Sequence, residues 1–150
     1  MATAIVVTSG KGGTGKTSLT GGVASCLAAL GNRVLCIDMD VGLRNLDLSL
    51  GLSDRALMDF TDVLEGRCSL ERAAVPHPVI ADLCLLTAPV KPPVRAVDPE
   101  EMRALLRRAR QDYDYILMDP PAGLGPGFHL PACGADRAVV VSTTDASALR

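Results

Sequence analysis

At 150 residues the chain holds enough for one domain, and a hydrophobic content of 48% supports a sizeable core. With two Tyr, two Phe and no Trp that core is aliphatic, the kind that packs helices on a Val/Ile/Leu-rich sheet. A formal net charge of −2 excludes a global pull toward nucleic acid or an anionic membrane, and five cysteines with no C-x-x-C pair offer neither a disulfide framework nor a zinc site.

In chain order, Ala4-Ile5-Val6-Val7 reads as a buried strand. It feeds Gly10-Lys11-Gly12-Gly13-Thr14-Gly15-Lys16-Thr17, which fits the phosphate-loop pattern G-x-x-x-x-G-K-[ST] in its required setting, a strand before and a helix after. Glycines let successive N–H groups turn inward on a phosphate chain without Cβ clashes. Lys16 can place its ammonium between the β- and γ-phosphates, and the Thr17 hydroxyl can ligate Mg²⁺. Phosphate then meets the N-terminus of the following helix, where free N–H groups and the dipole favour an anion. This loop is expected to bind a nucleotide.

Leu19, Val23, Leu27 and Leu30 recur at helical spacing until Gly31-Asn32 stops the run. Arg33–Asp38 is a short buried strand ending in a carboxylate. Cys26 lies in the helix pattern and Cys36 in the strand pattern, so both read as buried reduced thiols. Residues 40–52 form a Gly/Asn/Asp-rich loop with a short turn of helix. Two short helical patterns follow, near 56–64 and 69–74, before Pro76 and Pro78 break the chain. Leu83–Leu86 is a third strand, and the proline-rich 89–93 makes a rim segment. Asp98-Pro99-Glu100-Glu101 is a helix start, with Asp as N-cap, Pro at the first position and acids in the first turn. Met102, Leu105, Leu106 and Ala109 give that helix an apolar face. Arg103, Arg107, Arg108 and Arg110 read as its solvated face rather than a nucleic-acid patch. Tyr115–Asp119 and Ala138–Val141 supply a fourth and a fifth strand. His77 and His129 lack ligand spacing and read as loop residues.

The order β-α-β-α-β-α-β-α-β predicts a mostly parallel α/β sheet with helices on both faces and its ligand site at the carboxyl ends of the strands. No signal peptide pattern or membrane-length apolar run is present, so the cytoplasm is the expected compartment. Asp145–Arg150 resembles the first turn of a helix. Residues 1–150 are therefore expected to be the N-terminal portion of a single longer domain whose C-terminal part is absent.

Three carboxylates end strands on the ligand side. Asp119 closes an apolar strand in the manner of a Walker B acid, and Asp38 and Asp40 could touch metal or an attacking water. Lys11 stands early in the loop, where the general pattern accepts any residue. With that second lysine, Lys11–Thr17 resembles the deviant Walker A loop of the MinD/ParA family of P-loop ATPases. Gly42-Leu43-Arg44-Asn45-Leu46-Asp47 after Asp38-Met39-Asp40 is similar to the Min-system branch, which governs placement of the division septum.

The resemblance implies a Mg²⁺-dependent ATPase in which ATP closes a homodimer and Lys11 reaches the partner's phosphates. Gly10, Gly12, Gly13, Thr14, Gly15 and Ser18 would then cradle phosphate. Lys16 would bind β/γ-phosphate, and Thr17, Asp40 and Asp119 would form the metal side, with Asp40 orienting the hydrolytic water. It further implies a septum-inhibitor partner, a topological-specificity partner, and peripheral membrane attachment through a C-terminal helix beyond Arg150. Two departures stand out. Asp119-Pro120-Pro121-Ala122-Gly123-Leu124-Gly125 replaces the branch's Asp-Ser-Pro-Ala-Gly-Ile-Glu, and Asp145 stands where the family has a Glu that can contact the partner's ribose. A ParA-type or flagellar-number regulator would share the chemistry with other partners. Arg44-Asn45 argues against that reading and Pro120-Pro121 mildly for it. A nucleotide-binding remnant without catalysis is the alternative from another class.

Overall fold

The computed structural model describes residues 1–123 and 126–144, with backbone alone for 126–128. Six strands form one sheet: β1 (Thr3–Thr8), β2 (Val34–Asp38), β3 (Val75–Pro76), β4 (Leu83–Leu86), β5 (Tyr115–Asp119) and β6 (Arg137–Val140). Their order is β3-β4-β2-β5-β1-β6, and every pairing is parallel except β3 with β4. The helices are α1 (Lys16–Ala29), α2 (Asn45–Ser49), α3 (Phe60–Leu64), α4 (Leu70–Ala73), α5 (Pro99–Ala109) and α6 (Pro126–Ala132).

Side chains alternate across a strand, and here both faces are apolar. Leu35 and Ile37 join Ala4, Val6, Ile116 and Met118 beneath Phe60, Leu70, Met102 and Leu106. Val34 and Cys36 join Leu83, Leu85 and Leu117 beneath Ala24, Ala28, Leu46 and Leu50 on the other face. The doubly covered parallel sheet expected from the sequence is what forms.

Three features differ from expectation. The chain around Pro76 does not simply break: β3 adds a sixth, antiparallel strand. Proline is tolerated there because β3 lies at the sheet edge, where its missing N–H costs no ladder bond. His77 locks the turn. Its Nδ1 accepts from Val79 N at 3.1 Å and Ile80 N at 2.9 Å, which puts the ring proton on Nε2, 3.0 Å from the Leu50 carbonyl.

The second difference is in α1. Its apolar spacing marks the helix correctly but not its buried face. Thr20, Gly21, Ala24 and Ala28 face the protein, while Leu19, Val23 and Leu30 are 40%, 39% and 79% exposed. The end of α2 approaches closely at Gly21, where an added Cβ would lie 3.0 Å from Ser49 Oγ and 3.4 Å from Leu50 Cδ2. Cys26 is consequently exposed, correcting its reading as buried, whereas Cys36 is fully buried and its thiol pKa is pushed up by that burial.

Third, the pattern near 56–64 becomes helix only from Phe60, where Asp59 and Asp62 form a reciprocal capping box. Helix α5 starts as expected, with Asp98 as N-cap, Pro99 first and Glu101 completing the box. Its arginines pair with acids: Arg103 and Arg107 with Glu100 at 3.1 and 2.8 Å, Arg108 with Asp112 at 2.7 Å, and Arg110 with Asp136 at 2.8 Å. Among the described residues no helix is long and apolar enough to cross a membrane.

Candidate nucleotide site

The site is built where β1, β2 and β5 end side by side. β1 stops at Thr8, and the loop from Ser9 to Gly15 delivers the chain to α1. Ser9 Oγ donates to the Lys11 carbonyl at 2.8 Å. Gly13 (φ 74°) and Gly15 (φ 85°) take left-handed conformations that side chains disfavour, so these two glycines are required by the backbone path. No side chain caps α1 at Gly15, and a 14-residue helix opening in this way favours an anion at its start. Thr14 Oγ1 is shielded from water with no hydrogen-bond partner, a polar atom awaiting one.

Lys16 is 7% exposed, and its ammonium donates to the Asp119 carboxylate and the Pro120 carbonyl. Thr17 Oγ1 donates to the other Asp119 oxygen at 2.8 Å. The loop lysine, the loop threonine and the strand-end aspartate, far apart in sequence, thus form one cluster. Asp119 lies opposite Asp38 in the β2–β5 ladder, and its carbonyl accepts from Met39 N at 3.0 Å. Gly123 N donates to the Ser9 carbonyl at 2.9 Å, and Ala122 Cβ lies 4.0 Å from where a Cβ on Gly12 would stand. The Pro120–Gly123 segment is therefore folded back on the phosphate loop.

Asp40 is half-buried on the loop after β2. Partial burial raises its pKa, the charge of Lys16 lowers it and that of Asp119 raises it, so its carboxylate sits within the field of both. Asp38 behaves differently. Its Oδ1 accepts from Asp40 N at 2.9 Å and its Oδ2 from Leu46 N at 3.2 Å. Burial lifts its pKa to about 6 against the opposing pull of those two N–H groups. The expectation that it could touch metal or water gives way to backbone contacts, and nothing in the sequence distinguishes a strand-end Asp that faces a ligand from one that faces its own loop.

Lys11 is half-buried in the loop, while Gly10, Gly12 and Ser18 are exposed along the loop and the first turn of α1. Asp145, Leu124 and Gly125 lie outside the described residues.

The residues fit a phosphate chain with a hard cation. A buried ammonium, an uncapped helix start and an orphaned hydroxyl suit phosphate. Thr17 and Asp119 offer adjacent oxygen donors, which Mg²⁺ prefers, and it retains water for the rest of its shell. Among the described residues no group of three or more His, Cys, Asp or Glu is placed to hold a metal ion.

Residues 2–150 match the AAA domain family model AAA_31. The chain is 43% identical over 151 residues to the septum site-determining protein MinD of Bacillus subtilis (strain 168), covering 100% of this chain and 56% of that one. It resembles a chain of the MinC:MinD cell division protein complex of Aquifex aeolicus, with a TM-score of 0.90 and 43% identity over 99% of this chain and 59% of the other. The MinD of Pyrococcus horikoshii OT3, solved with Mg-ADP, matches at TM-score 0.83 and 31% identity, covering 99% and 61%. The chain thus spans about half the length of the relatives it matches.

Proposed function

The chain belongs to the AAA domain family AAA_31, and on that premise we propose that it works as a Mg²⁺-dependent ATPase switch of the Min system, which governs where the division septum forms. The observation that carries this reading is the cluster of Lys16, Thr17 and Asp119 behind a loop that also presents Lys11. Bound MgATP would supply the phosphoanhydride to be cleaved and a Lewis acid on its oxygens. Lys16 would exchange Asp119 and the Pro120 carbonyl for β/γ-phosphate oxygens, neutralising charge that grows in the transition state. Thr17 and Asp119 would hold the metal side, Thr14 would give its unpartnered hydroxyl to phosphate, and Asp40 would orient the water. Gly10, Gly12, Gly13, Gly15 and Ser18 would line the phosphates with backbone and hydroxyl donors. Lys11 would act across a homodimer on the partner's ATP.

The partners of such a switch would be a septum inhibitor, a topological-specificity factor and the inner face of the membrane, and the Aquifex structure that the chain resembles is itself a MinC:MinD complex. Pro120-Pro121 favours a second reading, a ParA-type regulator with the same chemistry and other partners; Arg44-Asn45 weighs against it.

Calorimetry of MgATP binding tests the site, with Lys16→Ala as the control expected to lose binding. Light scattering then tests the dimer. Lys11→Ala should stay folded and bind nucleotide yet lose ATP-dependent pairing, and pairing that survives unchanged would remove Lys11 from its role. Asp40→Ala should bind ATP and form dimers that persist because hydrolysis stalls. Normal turnover by that variant would show that the water is oriented elsewhere.

A further inference from the structure

We propose that Asp38 is a positioning residue for hydrolysis: it sets the loop carrying Asp40 through the backbone and does not act on the reacting atoms. The inference rests on the ATPase reading above.

Asp38 is the last residue of β2 and is 0% exposed. Its two oxygens are divided between the two ends of one loop, Oδ1 taking Asp40 N at 2.9 Å and Oδ2 taking Leu46 N at 3.2 Å. Between those anchors the chain makes a path that the sequence would not choose unaided. Gly42 has φ 88° and Arg44 has φ 49°, a left-handed conformation uncommon for a residue with a side chain. Beside the burial of Val41 and Leu46 against the core, the loop's other polar ties are long: Arg44 N to the Asp40 carbonyl at 3.2 Å, Gly42 N to the Pro89 carbonyl at 3.2 Å, and the Arg44–Asp47 ion pair at 3.4 Å. Helix α2 receives no side-chain cap from Arg44, and the Asp38 carboxylate supplies an acceptor to its first turn from the neighbouring strand.

The chemistry singles out an ionised carboxylate of this length. A buried carboxylate with two N–H donors is a charge-assisted clamp that neither an amide nor a hydroxyl reproduces. Asparagine keeps one acceptor but turns an NH₂ toward the second donor. Glutamate keeps the charge and moves it outward by one methylene. Asp38 and Asp119 are direct neighbours in the β2–β5 ladder, so the clamp fixes the Asp40 loop to the strand pair that carries Asp119, the acid next to Lys16 and Thr17. Water placement by Asp40 then depends on a residue that never meets the water.

The test begins with the unaltered protein. Amide hydrogen exchange should show Asp40 and Leu46 protected relative to Val41 and Leu43 in the same loop, and equal exchange at all four overturns the proposal. Asp38→Asn and Asp38→Glu are then compared with the parent for MgATP binding, steady-state hydrolysis and the same amide exchange. Both variants should bind MgATP within about threefold of the parent, with a largely unchanged KM. Their kcat should fall by roughly a hundredfold, the scale of a small misplacement of a catalytic group. In Asp38→Asn the loss should be accompanied by faster exchange at Leu46. Full kcat in that variant overturns the proposal, as does a loss of kcat with Leu46 still protected, since that would place Asp38 on the reacting atoms. If the parent binds but does not hydrolyse ATP, the ATPase reading fails, and the exchange pattern still decides whether Asp38 clamps the loop.

Discussion

Thr14 carries a shielded hydroxyl with no hydrogen-bond partner in the loop before α1. A hydroxyl hidden from water without a partner forfeits its hydration, at a cost of about 1–3 kcal/mol, and stable proteins keep such groups rarely. Valine has nearly the same shape and lacks the hydroxyl. Thr14→Val is therefore expected to leave the thermal midpoint of the nucleotide-free chain unchanged or raise it, while weakening MgATP binding by about tenfold, the equivalent of one lost hydrogen bond. Thermal unfolding and calorimetry on the same preparation check the two halves together. A lower midpoint with intact binding would make Thr14 a structural residue. Lys16 and Thr17 were legible in the sequence because their spacing and flanking elements are rigid requirements of phosphate binding, and Asp119 as an acid closing an apolar strand, whereas Lys11 stood out only through the family resemblance. Asp38 was visible only as a third acid. Its role depends on which way a strand-end side chain turns, and that is set by two backbone N–H groups lying two and eight residues onward.

Between elements, the most telling contact is Asp136, at the approach to β6. One of its oxygens accepts from Ala4 N at 2.8 Å and from Arg110 at 2.8 Å, so it joins β1, the end of α5 and the start of β6. The Arg110 hydrogen bond, followed by the Ala4 N–H, holds its pKa below the ordinary carboxylate range. A carboxyl whose pKa is depressed on folding contributes stability that is fully present above its unfolded pKa and is lost as pH falls through the folded value. The parent should thus lose thermal stability on acidification more steeply than Asp136→Asn, with the two curves converging below the carboxylate range. Parallel curves at all pH values would show the contact to be idle. The half-exposed side chain keeps the expected difference small. Helix starts were readable at this scale, as with Asp98-Pro99-Glu100-Glu101, because capping chemistry is local. Replacing Asp98 by Ala should cost about 1 kcal/mol of stability in chemical denaturation, the usual worth of a cap. Strand β3 was not readable, since two residues ending in proline form a strand only when β4 is already there to receive them.

Across the whole molecule, the alternation of strands and helices was enough to give a parallel sheet covered on both faces, because apolar runs of strand length leave few other ways to bury themselves. Which side of α1 turns inward was not legible: Leu19, Val23 and Leu30 give the stronger apolar pattern, yet Thr20, Gly21, Ala24 and Ala28 face inward, with Gly21 held to glycine size by the end of α2. The consequence is a face without cover. Leu19, Val23, Cys26 and Leu30, together with the partly buried Leu27, line an open cavity of about 380 Å³ along α1. Among the described residues β6 pairs with β1, and Val139 is 41% and Val140 70% exposed. Exposed apolar stripes promote association. The 150-residue chain is therefore expected to self-associate without nucleotide, in contrast to the ATP-dependent pairing assigned to Lys11. Light scattering across a concentration series separates the two. Val23→Lys with Leu30→Lys should abolish the nucleotide-free association while leaving the pairing that ATP induces, because both residues lie on the outer side of α1, away from the phosphate loop. A nucleotide-free parent that stays monomeric across the series would mean that this face is tolerated in water. Loss of both associations in the double variant would mean that the ATP-induced dimer is built on α1 and not on the loop.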